Sequence, residues 1–507
     1  MSTVRSTVAE HLALTAAISK KSFAYFLQNL IINASPEPKR FGDCADDWQR
    51  EQTAPMIPAV DTLAGLSALP YTGPWNFMQV LARGHNKSSH EAAIAAFLLV
   101  ASKRIIHGYI LAADRDQGRL ILQAMEDLIR LNPWLGTLLK VTKNIISGPA
   151  GFVEVLPCDA SSAMGLRGNF YICDEFVHWK RQKEWTAIVT GLIKVQPTLF
   201  VAISNAGLKE SWQHDAFLTA RADPEHWCLF YREGTLATWQ DPAQIARDRL
   251  LIPPSEARRL FDNVWIDPSE EHDYLRRSEV NACAALGQHL GLIYRPRRQF
   301  GVSNYAAGLD YAPRRDRTAL VVLHADAERV VRIDKLDVWQ GAKEKPVQIA
   351  DVEQWIKDVR QAFNPVTWVI DPYQMESTIQ WMQRQGMPVE PFAARAGAAN
   401  FEMAQHLRAL VADERLAWYP GAGDLKVVDK RTGVESTETL MDELVALRTK
   451  KMPYGYRFDH ENQKHDDRAV AIAMAALRAV DYPFSQTGSV RLPQHRNKDS
   501  ETGRYDG

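Results

Sequence analysis

The sequence predicts two successive α/β units joined by a helical segment. Strand-like and helix-like segments alternate through the first half of the chain, which is typical of a parallel α/β domain. After Gly301 the order becomes three strands, a helix, a strand and a helix. Between these parts, residues 241–298 are helical in pattern, charged and interrupted by prolines. The 507 residues suffice for two or three domains, each with its own core.

The composition is that of a globular protein, with 46% hydrophobic and 24% charged residues. The longest apolar runs, 92–101 and 469–476, are too short to cross a membrane, and the first residues lack the pattern of a signal peptide. Five scattered cysteines without a CxxC pair argue against a disulfide framework or a zinc site and fit a reducing cytoplasm. The net charge is −1, so any nucleic-acid surface must be local. Residues 295–298, 314–317 and 448–451 are candidates, although each also fits a solvated turn.

In the first unit we expect a strand at 77–81, a turn at 82–87 and a helix at 88–103. A strand at 107–113 and a helix at 116–131 follow. Three further strands are predicted at 152–156, 170–173 and 198–203, so the turn at 82–87 connects a buried strand to a helix.

A phosphate-binding loop is predicted in the segment LARGHNKSSHEAA. Lys87 at the helix start can meet the β- and γ-phosphates, while the Ser88 hydroxyl can ligate Mg²⁺. The loop departs from GxxxxGK[ST] at Leu81 and Asn86, although Asn tolerates a left-handed backbone and Gly84 relaxes the loop. An ordinary polar turn is the alternative. The residues expected to hold the nucleotide here are Arg83, Gly84, His85, Asn86, Lys87, Ser88 and Ser89.

A second nucleotide motif follows the apolar run Phe170-Tyr171-Ile172-Cys173. Asp174 would hold the Mg²⁺ shell and Glu175 would orient or deprotonate the attacking water, as in a Walker B site. A plain strand end is the alternative reading.

Three smaller features fit the same site. Gln49 lies upstream, where its amide can read an adenine edge, and Ser204-Asn205-Ala206 follows a strand end, where it can sense the γ-phosphate. A surface glutamine and a strand-to-loop turn are the respective alternatives. Arg83 is the leading candidate to stabilise phosphoryl charge, with Arg167 and Arg115 behind it.

The second unit has the strand and helix order of an RNase H-like fold. Strands are expected at 304–310, 318–324, 330–339 and 367–370, and helices at 346–362, 375–385 and 466–480. In this fold the first and fourth strands are parallel neighbours, so Asp310 and Asp371 at their ends should meet. The last helix would add Asp466 and Asp467, giving oxygen ligands for two Mg²⁺ or Mn²⁺ ions that cleave phosphodiesters. Turn and N-cap roles are the alternatives for these residues. Asp316, in the turn between the first two strands, could be auxiliary to the metal site, but a solvated turn is the preferred interpretation.

Together these motifs resemble those of the terminase large subunits of tailed bacteriophages. The resemblance runs over roughly residues 48–480. It implies a P-loop ATPase domain of the ASCE type, a small helical linker subdomain and a C-terminal RNase H-like nuclease domain. It rests on ARGHNKS, AADRDQ, SSAMGLRGNFYICDEFVHW, SNAG, GLDYAPRRDRTALVVL, VIDP and HDDRAVAIAMAA.

The resemblance implies an ATP-driven motor that packages viral DNA and also cuts it as an endonuclease. Lys87, Ser88 and Asp174 would hold ATP and Mg²⁺, Glu175 would be the catalytic carboxylate, and residues 204–206 would couple hydrolysis to movement. The metals of the nuclease, Mg²⁺ or Mn²⁺, would lie on Asp310, Asp371 and the Asp466/Asp467 pair. The implied partners are double-stranded DNA, the portal protein, a small terminase subunit and further copies in a ring, commonly of five. The implied location is the bacterial host cytoplasm, transiently at the procapsid portal.

The predicted boundaries are 1–240 for the ATPase domain, including a helical extension at 1–40, then 241–300 for the linker and 301–482 for the nuclease. Residues 483–507 are predicted to be disordered. The competing hypotheses are a helicase-like DNA-dependent ATPase, a decayed prophage DNA-binding scaffold with an inactive nuclease domain, and a transposase or integrase. The last does not usually carry an upstream P-loop.

Overall fold

The computed structural model describes residues 21–480, except 35, 68–69, 114, 159–164, 315, 343, 393–396, 429–432 and 462–463. The predicted tail at 483–507 therefore lies outside the described residues, as do the first twenty residues of the predicted extension. The described chain forms two compact units. The first runs to Arg249 and includes Ser255–Glu271, and the second holds Leu250–Pro254 and the residues from His272 onward. Among the described residues, every helix is too short or too polar to span a lipid bilayer.

The first unit is built on an eight-stranded sheet in the order β10-β3-β9-β8-β4-β7-β6-β5. Its first six strands are parallel, and β5 and β6 add an antiparallel edge. A separate two-stranded sheet is formed by β1 Ile31–Ile32 and β2 Lys39–Arg40. The eight strands of the main sheet are β3 Asn76–Val80, β4 Ile106–Ala112, β5 Lys140–Val141, β6 Ile145–Gly148, β7 Gly151–Pro157, β8 Phe170–Asp174, β9 Leu199–Ser204 and β10 Trp227–Tyr231.

Helices cover both faces of this sheet, and the two faces bury separate apolar clusters. The strands are apolar almost throughout because parallel strands are buried on both sides. The helices are α1 Phe23–Asn29, α2 Phe41–Cys44, α3 Asp47–Thr53, α4 Ile57–Leu63, α5 Lys87–Ala101, α6 Arg115–Leu131, α7 Gln182–Val189, α8 Trp212–Ala222, α9 Pro242–Arg249 and α10 Pro254–Phe261.

The second unit contains a six-stranded mixed sheet in the order β15-β14-β11-β12-β13-β16. β11, β12 and β13 form an antiparallel meander, and β14 returns to pair in parallel with β11, as the sequence predicts. The elements are α11 Arg277–His289, β11 Ala306–Asp310, β12 Arg317–Ala325, β13 Val331–Gln340, α12 Ile349–Phe363, β14 Thr367–Ile370, α13 Glu376–Arg384, β15 Val389–Pro391, α14 Gly397–Ala412, β16 Leu416–Trp418, β17 Leu425–Val428, β18 Glu435–Glu438, α15 Leu440–Ala446, β19 Leu447–Met452, β20 Gly455–His460 and α16 Asp467–Ala479.

The last helix of the second unit lies very close to the sheet. A Cβ atom at Gly308 in β11 would lie 2.2 Å from the carbonyl oxygen of Ala471 in α16, so only glycine allows this approach. The alanine-rich face of α16 is buried against β11, β12 and β14. At the helix start, the fully buried Arg468 forms a 2.5 Å ion pair with Glu443 of α15. Together these contacts fix the position of the neighbouring Asp466 and Asp467.

The predicted α/β fold class is confirmed in both units, and each predicted strand and helix of the two cores is present within a few residues. The sequence analysis missed β10, β15, β16, α14 and the hairpin β19–β20. Residues 241–300 contain three helices but are shared between the two compact units. A separate linker subdomain with those boundaries remains a prediction.

Candidate functional site

The first candidate site lies at the carboxyl ends of three neighbouring parallel strands. β9 lies between β3, which precedes the predicted phosphate loop, and β8, which carries the Asp-Glu pair. The register pairs Val80 with Ser204 and Asp174 with Ile203. The loop, the Asp-Glu pair and Ser204 therefore meet at one edge of the sheet, and the intervening strand is the arrangement expected of an ASCE-type ATPase.

The predicted phosphate loop between β3 and α5 contains two residues with a left-handed backbone. Asn86 adopts φ 50° and ψ 32°, the left-handed conformation that Asn tolerates, and Gly84 has φ 80°. Asn86 stands at the N-cap of α5 but makes no side-chain cap hydrogen bond. The first turn of α5, with Lys87, Ser88 and Ser89, thus offers backbone N–H groups to an anion. The non-consensus loop fits a phosphate group.

Lys87, Glu175 and Ser204 form a connected network. The Lys87 Nζ atom lies 2.9 Å from Glu175 Oε1 and donates to the Leu81 carbonyl at 3.2 Å. The Ser204 hydroxyl donates to Glu175 Oε2 at 3.1 Å. Burial opposes ionisation of Glu175, yet the Lys87 ammonium and these hydrogen bonds hold its pKa below the ordinary value. Glu175 is therefore an ionised carboxylate held by the lysine of the phosphate loop.

Two further carboxyl groups, Asp174 and Glu91, lie beside this network. Only Asp174 was predicted from the sequence. Burial and the neighbouring Glu175 raise the pKa of Asp174 to about 7. Glu91, one turn after Lys87 on α5, is fully buried, and neither of its carboxyl oxygens has a hydrogen-bond partner among the described residues. Burial, followed by repulsion from Asp174 and Glu175, raises the pKa of Glu91 well above the ordinary value. Glu91 lies four residues after Lys87 and so on the same face of α5, but this spacing is common in ordinary helices and does not by itself indicate a site.

Other predicted nucleotide residues lie around the loop. The Gln49 Oε1 atom accepts from the Asp46 N–H at 3.0 Å in a capping box. Gln49 and Asn86 both line a cavity of about 160 Å³ and a neighbouring open pocket, which Trp239 and Lys39 also border.

The His85 imidazole is buried, and both of its ring nitrogens have partners within the protein. Its Nε2 atom accepts from the Leu236 N–H at 2.9 Å, its Nδ1 lies 3.2 Å from the Arg83 carbonyl, and its ring packs on Trp48. Burial lowers the pKa of His85, so the ring is neutral. Only its backbone remains to meet a nucleotide.

Of the three candidate arginines, Arg83 and Arg167 are exposed. The Arg115 side chain lies outside the described residues.

The segment after β9 is tied to the end of β3 through Asn263. Its Oδ1 atom accepts from the Ala206 N–H at 2.9 Å, and its Nδ2 donates to the carbonyls of Val80 and Arg232 at 2.8 Å each. The Asn205 amide donates to the Ala206 carbonyl at 2.6 Å. Asn263 is fully buried and was missed by the sequence analysis.

The second candidate site lies in the second unit. Leu309 pairs with Ile370 in the parallel strands β11 and β14, and the Asp371 N–H lies 3.4 Å from the Leu309 carbonyl. Asp310 and Asp371 are therefore neighbours at the strand ends. A cavity of about 60 Å³ is lined by all four predicted carboxylates, Asp310, Asp371, Asp466 and Asp467, and by Asp316. An open groove of about 850 Å³ adjoins it and shares four of these residues.

Asp466 and Asp467 have different surroundings. The Asp467 Oδ2 atom accepts from the Arg317 N–H at 3.1 Å and lies 3.4 Å from His465 Nδ1. Asp466 occupies the N-cap position of α16 without capping it. Burial raises the pKa of Asp466 to about 7; the nearby His460 acts against this shift, and the neighbouring carboxylates add to it. A crowded carboxyl set of this kind suits a cation.

A second group of possible metal ligands overlaps with the four predicted carboxylates only at Asp466. Within the described part of the chain, only Asp459, His460 and Asp466 bring three ligand atoms within 4.8 Å of one another. Burial would lower the pKa of His460, but the Glu461 carbonyl and nearby carboxylates raise it. Asp459 and His460 end β20, and the sequence analysis missed them because it missed the hairpin. The adjacent Asp459 and His460, seven and six residues before Asp466, were the available signal in the sequence.

Residues 75–218 match the family described as the terminase large subunit, ATPase domain. Comparison with curated protein sequences finds no match. Among solved structures, the chain is similar to the large terminase of bacteriophage HK97, at 17% identity and a TM-score of 0.39, covering 90% of this chain and 99% of that one.

Two further structures show similar proteins. The large terminase of a thermophilic bacteriophage, solved in complex with ATP-gamma-S, has 10% identity and a TM-score of 0.35, covering 84% of this chain and 97% of that one. The large terminase nuclease of thermophilic phage G20c with bound magnesium has 18% identity and a TM-score of 0.27, covering 41% and 97%.

The family match spans β3 to α8. It contains the predicted phosphate loop, the Asp-Glu pair and Ser204, which the fold brings to one edge of the sheet. Residues 75–218 of this chain are therefore similar to the ATPase domain of terminase large subunits.

Proposed function

We propose that this chain is an ATP-driven DNA-packaging motor that also cleaves concatemeric double-stranded DNA by two-metal chemistry. The observation that carries the motor half is the Lys87–Glu175 contact at the edge of β3, β9 and β8. The proposed partners are double-stranded DNA, a portal protein, a small terminase subunit and further copies in a ring, in the cytoplasm of a bacterial host.

The nucleotide would lie over the first turn of α5. The uncapped N–H groups and Lys87 suit the phosphates, and Ser88 and Asp174 suit Mg²⁺. Bound Mg²⁺ would neutralise charge on the phosphates. The base would enter the pocket beside Gln49, whose Nε2 can donate while its Oε1 stays in the capping box.

Lys87 has two roles in this proposal. Without nucleotide it holds Glu175; with nucleotide it turns to the phosphates and releases the carboxylate. Glu175 then keeps the Ser204 hydrogen bond, which orients it as the general base for water. Any displacement of Ser204 passes along residues 205–206 to Asn263, which supports residues 204–206 as the coupling segment. Arg83, exposed in the loop, is the proposed stabiliser of phosphoryl charge, in cis or from a neighbouring copy.

The nuclease half rests on the shared cavity of Asp310, Asp371, Asp466 and Asp467. Carboxylate oxygens are the preferred ligands of Mg²⁺ and Mn²⁺, and a metal pair would activate water and stabilise the leaving oxygen. The adjoining groove gives a DNA strand access, and Arg314 and Tyr373 on its walls suit contact with phosphate and sugar.

The motor is tested by ATP hydrolysis of the full chain with Mg²⁺ and linear DNA. Lys87→Ala and Glu175→Gln should each abolish turnover, whereas Lys103→Ala, at an exposed lysine of the same unit, should leave it unchanged. Turnover that survives in Lys87→Ala would refute the proposed site.

The nuclease is tested separately, by cleavage of supercoiled plasmid with Mg²⁺ or Mn²⁺. Asp371→Asn should lose cleavage and keep ATP hydrolysis, while the matched exposed change Asp351→Asn should affect neither activity. An active Asp371→Asn enzyme would remove this residue from the metal site.

A further inference from the structure

Asn400 is a buried amide in the wall of the carboxylate cavity. It lies on α14, is 4% exposed and lines the same cavity as Asp310, Asp371 and Asp466. Its Oδ1 atom is buried and has no hydrogen-bond donor among the described residues. Native proteins rarely leave a buried carbonyl oxygen unpaired, because its lost hydration is not replaced. The unpaired Oδ1 atom of Asn400 therefore requires an explanation.

The elements around Asn400 place its side chain in the wall of the cavity. Met403, one helical turn later, lines the same wall and offers no donor. Helix α14 packs against α16, which follows Asp466, and against β20, which ends at His460. Asn400 therefore shares the cavity with the carboxylates of α16, although it comes from an element that supplies no predicted ligand.

The choice of amide over carboxylate also has a physical reason. The cavity is already lined by five aspartates, together with Arg457 and His460. A further carboxylate would increase the repulsion between carboxylates, whereas a carboxamide adds a hard oxygen without charge. Amide carbonyls are common ligands of hard divalent cations and good acceptors for their bound waters.

We propose that Asn400 is a positioning residue of the nuclease metal site, whose Oδ1 accepts from a metal-bound water or joins the ligands of a divalent cation. This inference rests on the proposed nuclease function. It adds a neutral oxygen from α14 to a set otherwise made of aspartates.

The test uses the full chain and Mn²⁺ alone, without nucleotide or DNA. Asn400→Leu replaces the amide by an apolar group of similar shape. Because it removes an unpaired buried oxygen, the metal-free protein should be at least as stable as wild type. Mn²⁺ binding at the Asp371-dependent site, measured by calorimetry, should weaken about tenfold, and the rise in melting temperature caused by Mn²⁺ should shrink. Asn400→Asp should retain Mn²⁺ binding, and the exposed Glu402→Ala on the same helix should behave as wild type.

The outcomes separate the two levels of the proposal. If Asp371→Asn abolishes a Mn²⁺ site that Asn400→Leu leaves intact, Asn400 is structural and the inference is wrong. If Asp371→Asn itself leaves Mn²⁺ binding unchanged, the nuclease proposal fails first. A stable Asn400→Leu protein with weakened Mn²⁺ binding supports the inference, because a purely structural residue would not move these two quantities in opposite directions. Should Asn400→Leu not fold, the smaller change Asn400→Ala decides the matter, since unchanged Mn²⁺ binding in that folded variant would overturn the proposal.

Discussion

Glu175→Gln should tighten nucleotide binding, because the wild-type protein must break an ion pair to bind phosphate. Lys87 and Glu175 lie 2.9 Å apart with side chains 9% and 23% exposed, so water screens the pair only in part. At an effective dielectric constant of about 20, the attraction at this distance is about 6 kcal/mol before desolvation is subtracted.

Most of that attraction is offset by the cost of removing both charges from water. Glutamine also keeps an acceptor for the lysine, so the free energy recovered in Glu175→Gln should be about 1–2 kcal/mol, or roughly tenfold in affinity. Loss of the negative charge near the phosphates acts in the same direction. The mutant should therefore bind ADP about tenfold more tightly than wild type.

Isothermal titration calorimetry with ADP and Mg²⁺ measures this change without interference from hydrolysis. Glu51→Gln is the matched control, because Glu51 is exposed and lies 3.7 Å from Arg232 in the same unit. Equal or weaker ADP binding by a folded Glu175→Gln protein would show that Lys87 does not exchange this partner for phosphate.

Three further predictions concern the second unit. Because the pKa of Asp466 is about 7, protons compete with Mn²⁺ for this carboxylate below that pH. Calorimetry should show that the affinity for Mn²⁺ rises with pH up to about 7 and is constant above it. Asp466→Asn should reduce this rise. Arg468→Met leaves Glu443 buried and unpaired, and urea unfolding should show a loss of about 3–5 kcal/mol, largely recovered by a second change, Glu443→Met. Gly308→Ala, which drives a Cβ against the Ala471 carbonyl, should cost about 3 kcal/mol and abolish cleavage of plasmid; unchanged cleavage would contradict the close packing.

The stability of the metal-free protein should change with pH in the opposite direction to the affinity for Mn²⁺. A carboxyl group with a raised folded-state pKa binds its proton in the native protein between about pH 4 and 7, while the unfolded chain has already released it. For Asp466 this contribution to stability is present at low pH and is lost as pH rises to about 7. Chemical unfolding at pH 5 and 8, without divalent cations, measures it by comparison with Asp466→Asn.

The parts of the fold that follow from short-range patterns could be predicted. Apolar runs marked the parallel strands, and the strand order after Gly301 correctly placed Asp310 beside Asp371. The Asn86 backbone also follows from its residue type, since Asn is among the few residues that adopt a left-handed conformation readily.

The features that could not be predicted from the sequence depend on packing between residues far apart in the chain. Glu91 looks like an ordinary helix residue until the sheet buries it beside Asp174. Asn263 acquires its role from two strand ends far away in sequence. The hairpin that carries His460 has exposed, charged positions, which weaken the alternating pattern of a strand. No local signal distinguishes Asn400 from other helix residues.

The order in which the carboxylates occur along the chain has a consequence for synthesis. Asp310 and Asp371 leave the ribosome well before Asp467, and α16, which brings the last two carboxylates, packs across strands made much earlier. The proposed cutting centre is thus incomplete until that helix has emerged and docked. A nascent or prematurely terminated chain that lacks α16 cannot assemble it, so the proposed cleavage activity can arise only after α16 has docked.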